Sequence, residues 1–337
     1  MLNLGVNGDF FDGKLGFTAE YYDSEISDIL LDVPVPQTTG FGSARQNIGR
    51  VANTGFEASV YTNQKVGQVD ISLNANYATN QNEVLALGPE NADIIVTNGT
   101  GHAYFITRVG EAVGSYFLLV EDGVFESEEE LDSYPHAAST RPGDFKFVDV
   151  DGDGVIERDD DRAIVGNYVP DFTYAFGSSL GFKGFELSAT FQGVYGNEIL
   201  NLSKRYIANG EGNFNNTTEL LNRYRSEADP GDGFTNRANR KSQGDNGRTS
   251  TWHIEDGSYL RLQNVYLGYN LPRALLQKIN VTSAKIYFSA TNLFTWTNYT
   301  GYNPEVSQDS QGSLARGLDY GNYPLPKTYT VGINLSF

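Results

Sequence analysis

The stretch LNLGVNGDFFDGKLGFTAEYY, residues 2–22, decides the fold. Leu2, Leu4, Val6 and Phe10 alternate with Asn3, Gly5, Asn7 and Asp9, and after a short turn from Phe11 to Gly13 the apolar series resumes at Leu15, Phe17, Ala19 and Tyr21. Successive side chains of a strand point to opposite faces, so a period of two predicts a hairpin with one apolar and one polar face. The same beat returns at Phe56, Ala58 and Val60, at Val69 to Tyr77, at Phe172 to Leu180 and at Phe185 to Phe191. It closes the chain at Ala284 to Ala290 and at Tyr329 to Phe337. In SYLRLQNVYLGYN, residues 258–270, the phase slips between Leu262 and Val265, which predicts a β-bulge near Asn264.

About nine strands result, most of roughly 9 to 11 residues, the length that a tilted strand needs to cross a hydrocarbon layer. Their connections alternate in length. FDGK, NQKVGQ, KG and LPRALLQKI are short, the last with room for one or two helical turns, whereas the intervening links run over about 24 to 50, 80 to 170, 195 to 257 and 292 to 326. Short turns on one side and long loops on the other are the topology of an outer-membrane barrel, with the C-terminus on the periplasmic side. A soluble β-sandwich also alternates. Here, however, the polar positions are mostly Ser, Asn, Thr and Gly, and aromatics such as Tyr21, Tyr77, Phe185, Phe191 and Tyr269 gather near strand ends as interface girdles do. The expected fold is all-β: an antiparallel transmembrane β-barrel, partial at about nine strands of a larger barrel, with long extracellular loops.

Composition narrows the function. With 24 Lys and Arg against 42 Asp and Glu, a formal charge of -18 argues against nucleic acid and favours divalent cations. Cysteine is absent, which removes disulfide and thiolate chemistry. Met1 runs straight into the first strand without a basic and apolar leader. No apolar run reaches the length of a membrane helix, so only strands are left to span a bilayer.

One loop is chemically specific. DVDGDGVIERDD, residues 149–160, sets Asp149, Asp151 and Asp153 at positions 1, 3 and 5 of a twelve-residue calcium loop, with Gly154 at the sharp turn. The Val155 carbonyl fits position 7, Glu157 position 9, often through water, and Asp160 position 12, a shorter arm than the usual Glu. Pro142 and Gly143 precede it instead of an amphipathic helix, so the expectation is a lone, structural Ca²⁺ clasp and not a paired EF-hand. The competing reading is a solvated acidic turn.

Catalysis finds little support. GSSLG, residues 177–181, fits G-x-S-x-G formally, yet Ser179 falls in mid-strand with no elbow to expose it. His102, His136 and His253 are scattered through loops without metal-ligand spacing and read as solvated. An enzyme is not expected. Trp252, Trp296, Tyr299 and Tyr302 lie in or beside the long loops, where flat faces can stack on a sugar or grip a peptide; the alternative is girdle or loop-core packing.

Several longer segments carry a resemblance. They are NIGRVANTGFEASV (47–60), the run from GDFKFVDVDGDG to YGNEILN (143–201), YLRLQNVYLGYNLP (259–272), KIYFSATNLFTWTNYTGYNPEV (285–306) and YPLPKTYTVGINLSF (323–337). Together they resemble the C-terminal barrel portion of SusC-like (RagA-like) TonB-dependent outer-membrane transporters of Bacteroidetes, over nearly all of residues 1–337. Two positions depart: Asn303 stands where the family usually has Asp before Pro-Glu, and Lys327 where it often has Arg. The resemblance implies a larger barrel whose plug domain and N-terminal strands are absent here. It also implies energised import of an oligosaccharide or peptide, with a SusD-like lipoprotein as the lid and the TonB complex as the engine. A passive porin or surface binding barrel is the alternative.

Overall fold

The computed structural model describes residues 1–34, 38, 40–41, 43–97, 102–240, 245–277, 281–306 and 314–337. The chain opens with a meander of β1 (Leu2–Phe10), β2 (Leu15–Pro34), β3 (Ser43–Val66) and β4 (Val69–Leu87). A long excursion follows, with β5 (Ile94–Thr97), β6 (Tyr104–Thr107), β7 (Ser115–Leu119), β8 (Glu121–Val124), α1 (Glu128–Ser133), β9 (Phe145–Phe147) and β10 (Arg162–Ile164). The meander resumes as β11 (Phe172–Phe182) and β12 (Phe185–Tyr195), and a second excursion holds β13 (Glu198–Asn201), α2 (Lys204–Ile207) and β14 (Ile254–Asp256). Then come β15 (Tyr259–Asn270), α3 (Arg273–Leu276) and β16 (Ser283–Thr297), a third excursion that holds β17 (Leu318–Asp319), and β18 (Thr328–Ser336).

Among the described residues nine strands make one sheet in the order β1-β2-β3-β4-β11-β12-β15-β16-β18, antiparallel throughout. These are the strands that the alternation predicts. Directly paired residues share a face, so the register shows where each side chain goes. One row runs Phe17, Val60, Ala75, Phe176, Phe191, Leu262, Phe294 across seven strands. The neighbouring row on the other face runs Asp9, Gly16, Tyr61, Asn74, Gly177, Thr190, Asn264, Thr291. The apolar face stays uncovered: Val331 is 76% exposed and Ile333 62%. A soluble sheet would bury such residues, since exposed apolar patches beyond a few hundred Å² mark a membrane or partner surface.

Local features match the residue types. Lys183 and Gly184 both take positive φ, 47° and 89°, as the tight β11–β12 turn requires. The phase slip is a bulge at Gln263: Thr190 pairs with Asn264 and Phe191 with Leu262, and on the other side the shift falls between Leu262 and Asn264. On the polar face glycines receive tyrosine rings from the adjacent strand. A Cβ on Gly16 would meet the Tyr61 ring at 2.3 Å, and one on Gly332 the Tyr287 ring at 2.4 Å. Each such pair lets a ring lie flat over its neighbour, pinning register.

One expectation is corrected. The link from 24 to 50 is mostly strand, because β2 and β3 run for 20 and 24 residues and β4 for 19, about twice the expected length. Alternation fades there because Asp28, with φ 58°, sits in an irregularity between Ile26 and Ile29 that resets the facing of the outer segment.

Most of the buried core lies in the excursions, with Val84 and Leu87 at the outer end of β4 joining it through Ile94. Ala103, Phe105, Tyr116 and Leu118 from the first pack with Leu200 and Leu202 from the second and Ala315 and Leu318 from the third. The Tyr116 hydroxyl donates to the carbonyls of Glu198 at 2.9 Å and Gly317 at 3.1 Å, tying the same three segments. Asp144, fully buried, accepts from Arg237 Nε at 2.7 Å and Nη2 at 3.0 Å and from Asn246 Nδ2 at 2.7 Å. Three long loops therefore form one packed body beyond the sheet.

Candidate functional site

The acidic loop leaves β9 and returns into β10. Oxygens of Asp149, Asp151 and Asp153 lie within 4.8 Å of one another. The Asp149 carboxylate accepts from the amides of Gly152 at 2.7 Å and Gly154 at 2.8 Å, which holds its pKa below the usual value, the Gly154 amide contributing most. Asp153 accepts from the Val155 amide at 2.8 Å. Glu157 and Asp160 share a hydrogen bond that, with the Asp160 charge, raises the Glu157 pKa. Their carboxylates face each other on the loop surface, outside the three-aspartate cluster. A residue that sequence reasoning missed closes the loop: buried Asp161 accepts from the amides of Val150 at 2.8 Å and Glu157 at 2.6 Å. The three consecutive aspartates 159–161 offered no way to tell which turns inward.

The four aromatics do not meet. Trp296 lies on the apolar face of β16, paired with Leu260 and stacked near Phe294 and Phe191 at 6.0 and 6.5 Å. Trp252 packs on the loop core beside Phe145, with the Lys204 ammonium 4.3 Å from its ring centroid. Tyr299 is buried, its hydroxyl donating to Asp319 at 2.5 Å, with its pKa raised by burial first and then by Asp319. Tyr302 alone stands in solvent, at 76% exposure. Ser179 sits in mid-strand between Ser72 and Ser188. His136 is exposed, but His253 is fully buried, against the expectation of a solvated loop residue, and burial, followed by Lys204 and Arg205, depresses its pKa to about 3.

One extended polar constellation was not legible as a site. Arg261, 2% exposed, stands on the polar face of β15 where the third excursion folds over the sheet. Its Nε donates to Thr295 Oγ1 at 3.0 Å, Nη2 donates to Asn303 Oδ1 at 2.8 Å, and Nη1 pairs with Glu305. The Glu305 carboxylate also accepts from Gln192 Nε2 and from the Tyr259 hydroxyl, both at 2.9 Å. Two strands thus grip residues 303–305 on the inner wall. Asn303, the departure from the family's Asp, still supplies the acceptor; what it gives up is one charge beside a buried guanidinium.

Three comparisons bear on this arrangement. The family model described as TonB dependent receptor-like, beta-barrel, matches residues 2–293. TonB-dependent receptors P3 and P26 of Formosa agariphila are 33% and 32% identical over the whole of this chain. The chain spans 34% of the length of each. Among solved structures, the RagAB peptide importer in its 'open-open' state superposes with a TM-score of 0.80 at 26% identity, over 99% of this chain and 34% of the importer chain. Its 'closed-closed' state gives 0.77 at 25% identity, over 99% and 35%.

Proposed function

Because this chain belongs to the family of TonB dependent receptor-like β-barrels, we propose that it forms one wall of an outer-membrane importer that takes up an oligosaccharide or peptide nutrient. A SusD-like lipoprotein covers the outer mouth and the TonB complex supplies energy from the periplasmic side. The observation that carries this reading is the two-faced sheet, apolar on one side across nine strands and lined with Asn, Ser, Thr, Gly and Tyr on the other. The loop body gives the lipoprotein a rigid surface to meet. The work is binding and gating, and no bond is broken.

The test is uptake by cells that carry the intact receptor gene or lack it, with and without a protonophore. Energised import requires that the deletion and the protonophore each abolish uptake of at least one oligosaccharide or peptide. Uptake that needs the gene but ignores the protonophore would instead establish the passive porin.

The loop at 149–160 is, on this reading, a structural Ca²⁺ clasp on the extracellular side. Asp149, Asp151 and Asp153 supply carboxylates and Val155 a carbonyl, while Glu157 and Asp160 turn inward from their mutual hydrogen bond. Extracellular modules work with dissociation constants on the order of 10⁻⁴ to 10⁻³ M, so a weak site suffices. Asp151→Ala with Asp153→Ala in the intact receptor is expected to leave the barrel assembled and to increase protease cutting within 80–170 several-fold. Chelator should raise cutting of the unmodified receptor to the same level and leave the variant unchanged. If cutting of the unmodified receptor ignores chelator, the solvated-turn reading stands.

A further inference from the structure

A cluster of opposite sign lies in the same loop body. Arg158, Arg162, Arg205, Arg248, His102 and Thr249 line a cavity of about 50 Å³. Four of the 24 cationic side chains of a strongly acidic chain therefore meet at one place. Among the described residues, the acids beside Arg162 and Arg205 offset those two charges only in part. Arg162, buried against the Tyr104 ring at 3.3 Å, reaches Asp159 at 2.8 Å, but that carboxylate is 79% exposed. Near Arg205, burial raises the Glu211 pKa to about 7, so its charge is incomplete at neutral pH. Arg205 Nη1 is tied to the Gly247 carbonyl and Arg248 Nη1 to that of Ile156 at 3.3 Å, which fixes both guanidinium groups at the wall. The buried hydroxyl of Thr249 has no hydrogen-bond partner among the described residues. His102 has its pKa lowered by burial first and then by Arg205 and Arg158, which shows those two charges converging.

We infer that this cavity is an oxyanion site, taking a carboxylate or sulfate group in the grip of Arg158, Arg205, Arg248 and the Thr249 hydroxyl. Guanidinium forks match such groups with paired, charge-assisted hydrogen bonds. A single water needs about 10–15 Å³ of such space, so this cavity admits a four- or five-atom anion and excludes a sugar ring. Arg158 is exposed and serves as the entry residue. Nothing in the assignment depends on import: the anion is either free in solution or carried on a larger ligand.

Calorimetric titration of the intact receptor in detergent separates the cases, with sodium sulfate and sodium acetate each measured against sodium chloride at matched ionic strength. Saturable binding of one sulfate or one acetate is expected. Arg158→Gln should weaken it about tenfold, the loss of one charge-assisted bond, and Thr249→Val about threefold. Arg50→Gln, which removes a cation paired with Glu25 on the sheet at 3.0 Å, should leave it unchanged. Preference for sulfate assigns a tetrahedral group and preference for acetate a carboxylate; either supports the site. No saturable binding of either anion overturns it, as does an Arg158→Gln variant that binds normally or an Arg50→Gln variant that loses as much.

Discussion

Leu267→Arg in the intact receptor is expected to remove most of the assembled protein from the outer membrane, whereas Tyr266→Arg at the next position should assemble close to normally. Leu267 stands within β15, three residues before its end at Asn270, between Leu187 and Phe288 on the uncovered apolar face. A charged side chain at the midplane of a lipid-facing barrel surface costs about 2–4 kcal/mol. That is a loss of roughly 30- to 1000-fold in the folded-to-unfolded ratio. Tyr266 points the other way, among Ser188 and Ser289, where an arginine stays hydrated. Heat-modifiable migration on gels, together with membrane fractionation, reads both variants. Equal assembly of the two would remove the assignment of the faces.

Glu305→Ala is expected to release the third excursion from the inner wall. Breaking a buried pair on one side costs about 3–5 kcal/mol because an uncompensated charge stays behind. Arg261 is the one that stays behind here, and since Glu305 is 39% exposed, the lower end, about 3 kcal/mol, applies. Arg261→Met should cost less, about 1–2 kcal/mol, because Glu305 can turn to water and keep its partners at Gln192 and Tyr259. Hydrogen exchange across 298–306 measures the difference: faster exchange in Glu305→Ala than in Arg261→Met is the signature of a stranded guanidinium. The opposite order would mean that packing of the Arg261 stem, and not charge compensation, holds the segment.

The sheet was legible because its code is local. Two residues of context suffice to recognise alternation, so all nine strands and the bulge beside Asn264 can be read without tertiary information. Legibility stops where the lipid stops demanding alternation, which is why the outer halves of β2 and β3 read as a loop: Asp28 breaks the phase and neither face there need be apolar. The loop body was illegible for another reason. Tyr116, Leu200 and Leu318 are far apart in sequence and share no period, so their common core exists only after folding. Arg261 and Glu305 likewise stand 44 positions apart and meet through sheet register plus a returning loop. Composition flagged Trp296 and Tyr299 as ligand contacts, yet an aromatic near a strand end looks the same in sequence whether it faces lipid or packs beneath a loop. Aspartate spacing at 149–153 was informative about the carboxylate cluster because alternate positions of a tight turn converge locally, whereas the placement of Asp160 and Asp161 depends on which side the chain turns.

The central claim is that the nine-stranded sheet is a section of membrane barrel with one face in lipid. The most direct measurement places a nitroxide singly at positions 265 to 268 of β15 and 286 to 289 of β16 in the intact receptor in lipid, with any native cysteines elsewhere replaced. Collision with oxygen, which concentrates in the bilayer, is then compared with collision with a water-soluble nickel chelate. Oxygen should dominate at 265, 267, 286 and 288 and fall at 266, 268, 287 and 289, a period of two in phase with the paired apolar residues. Uniform accessibility along both strands, or the same period with its phase reversed, would contradict the claim.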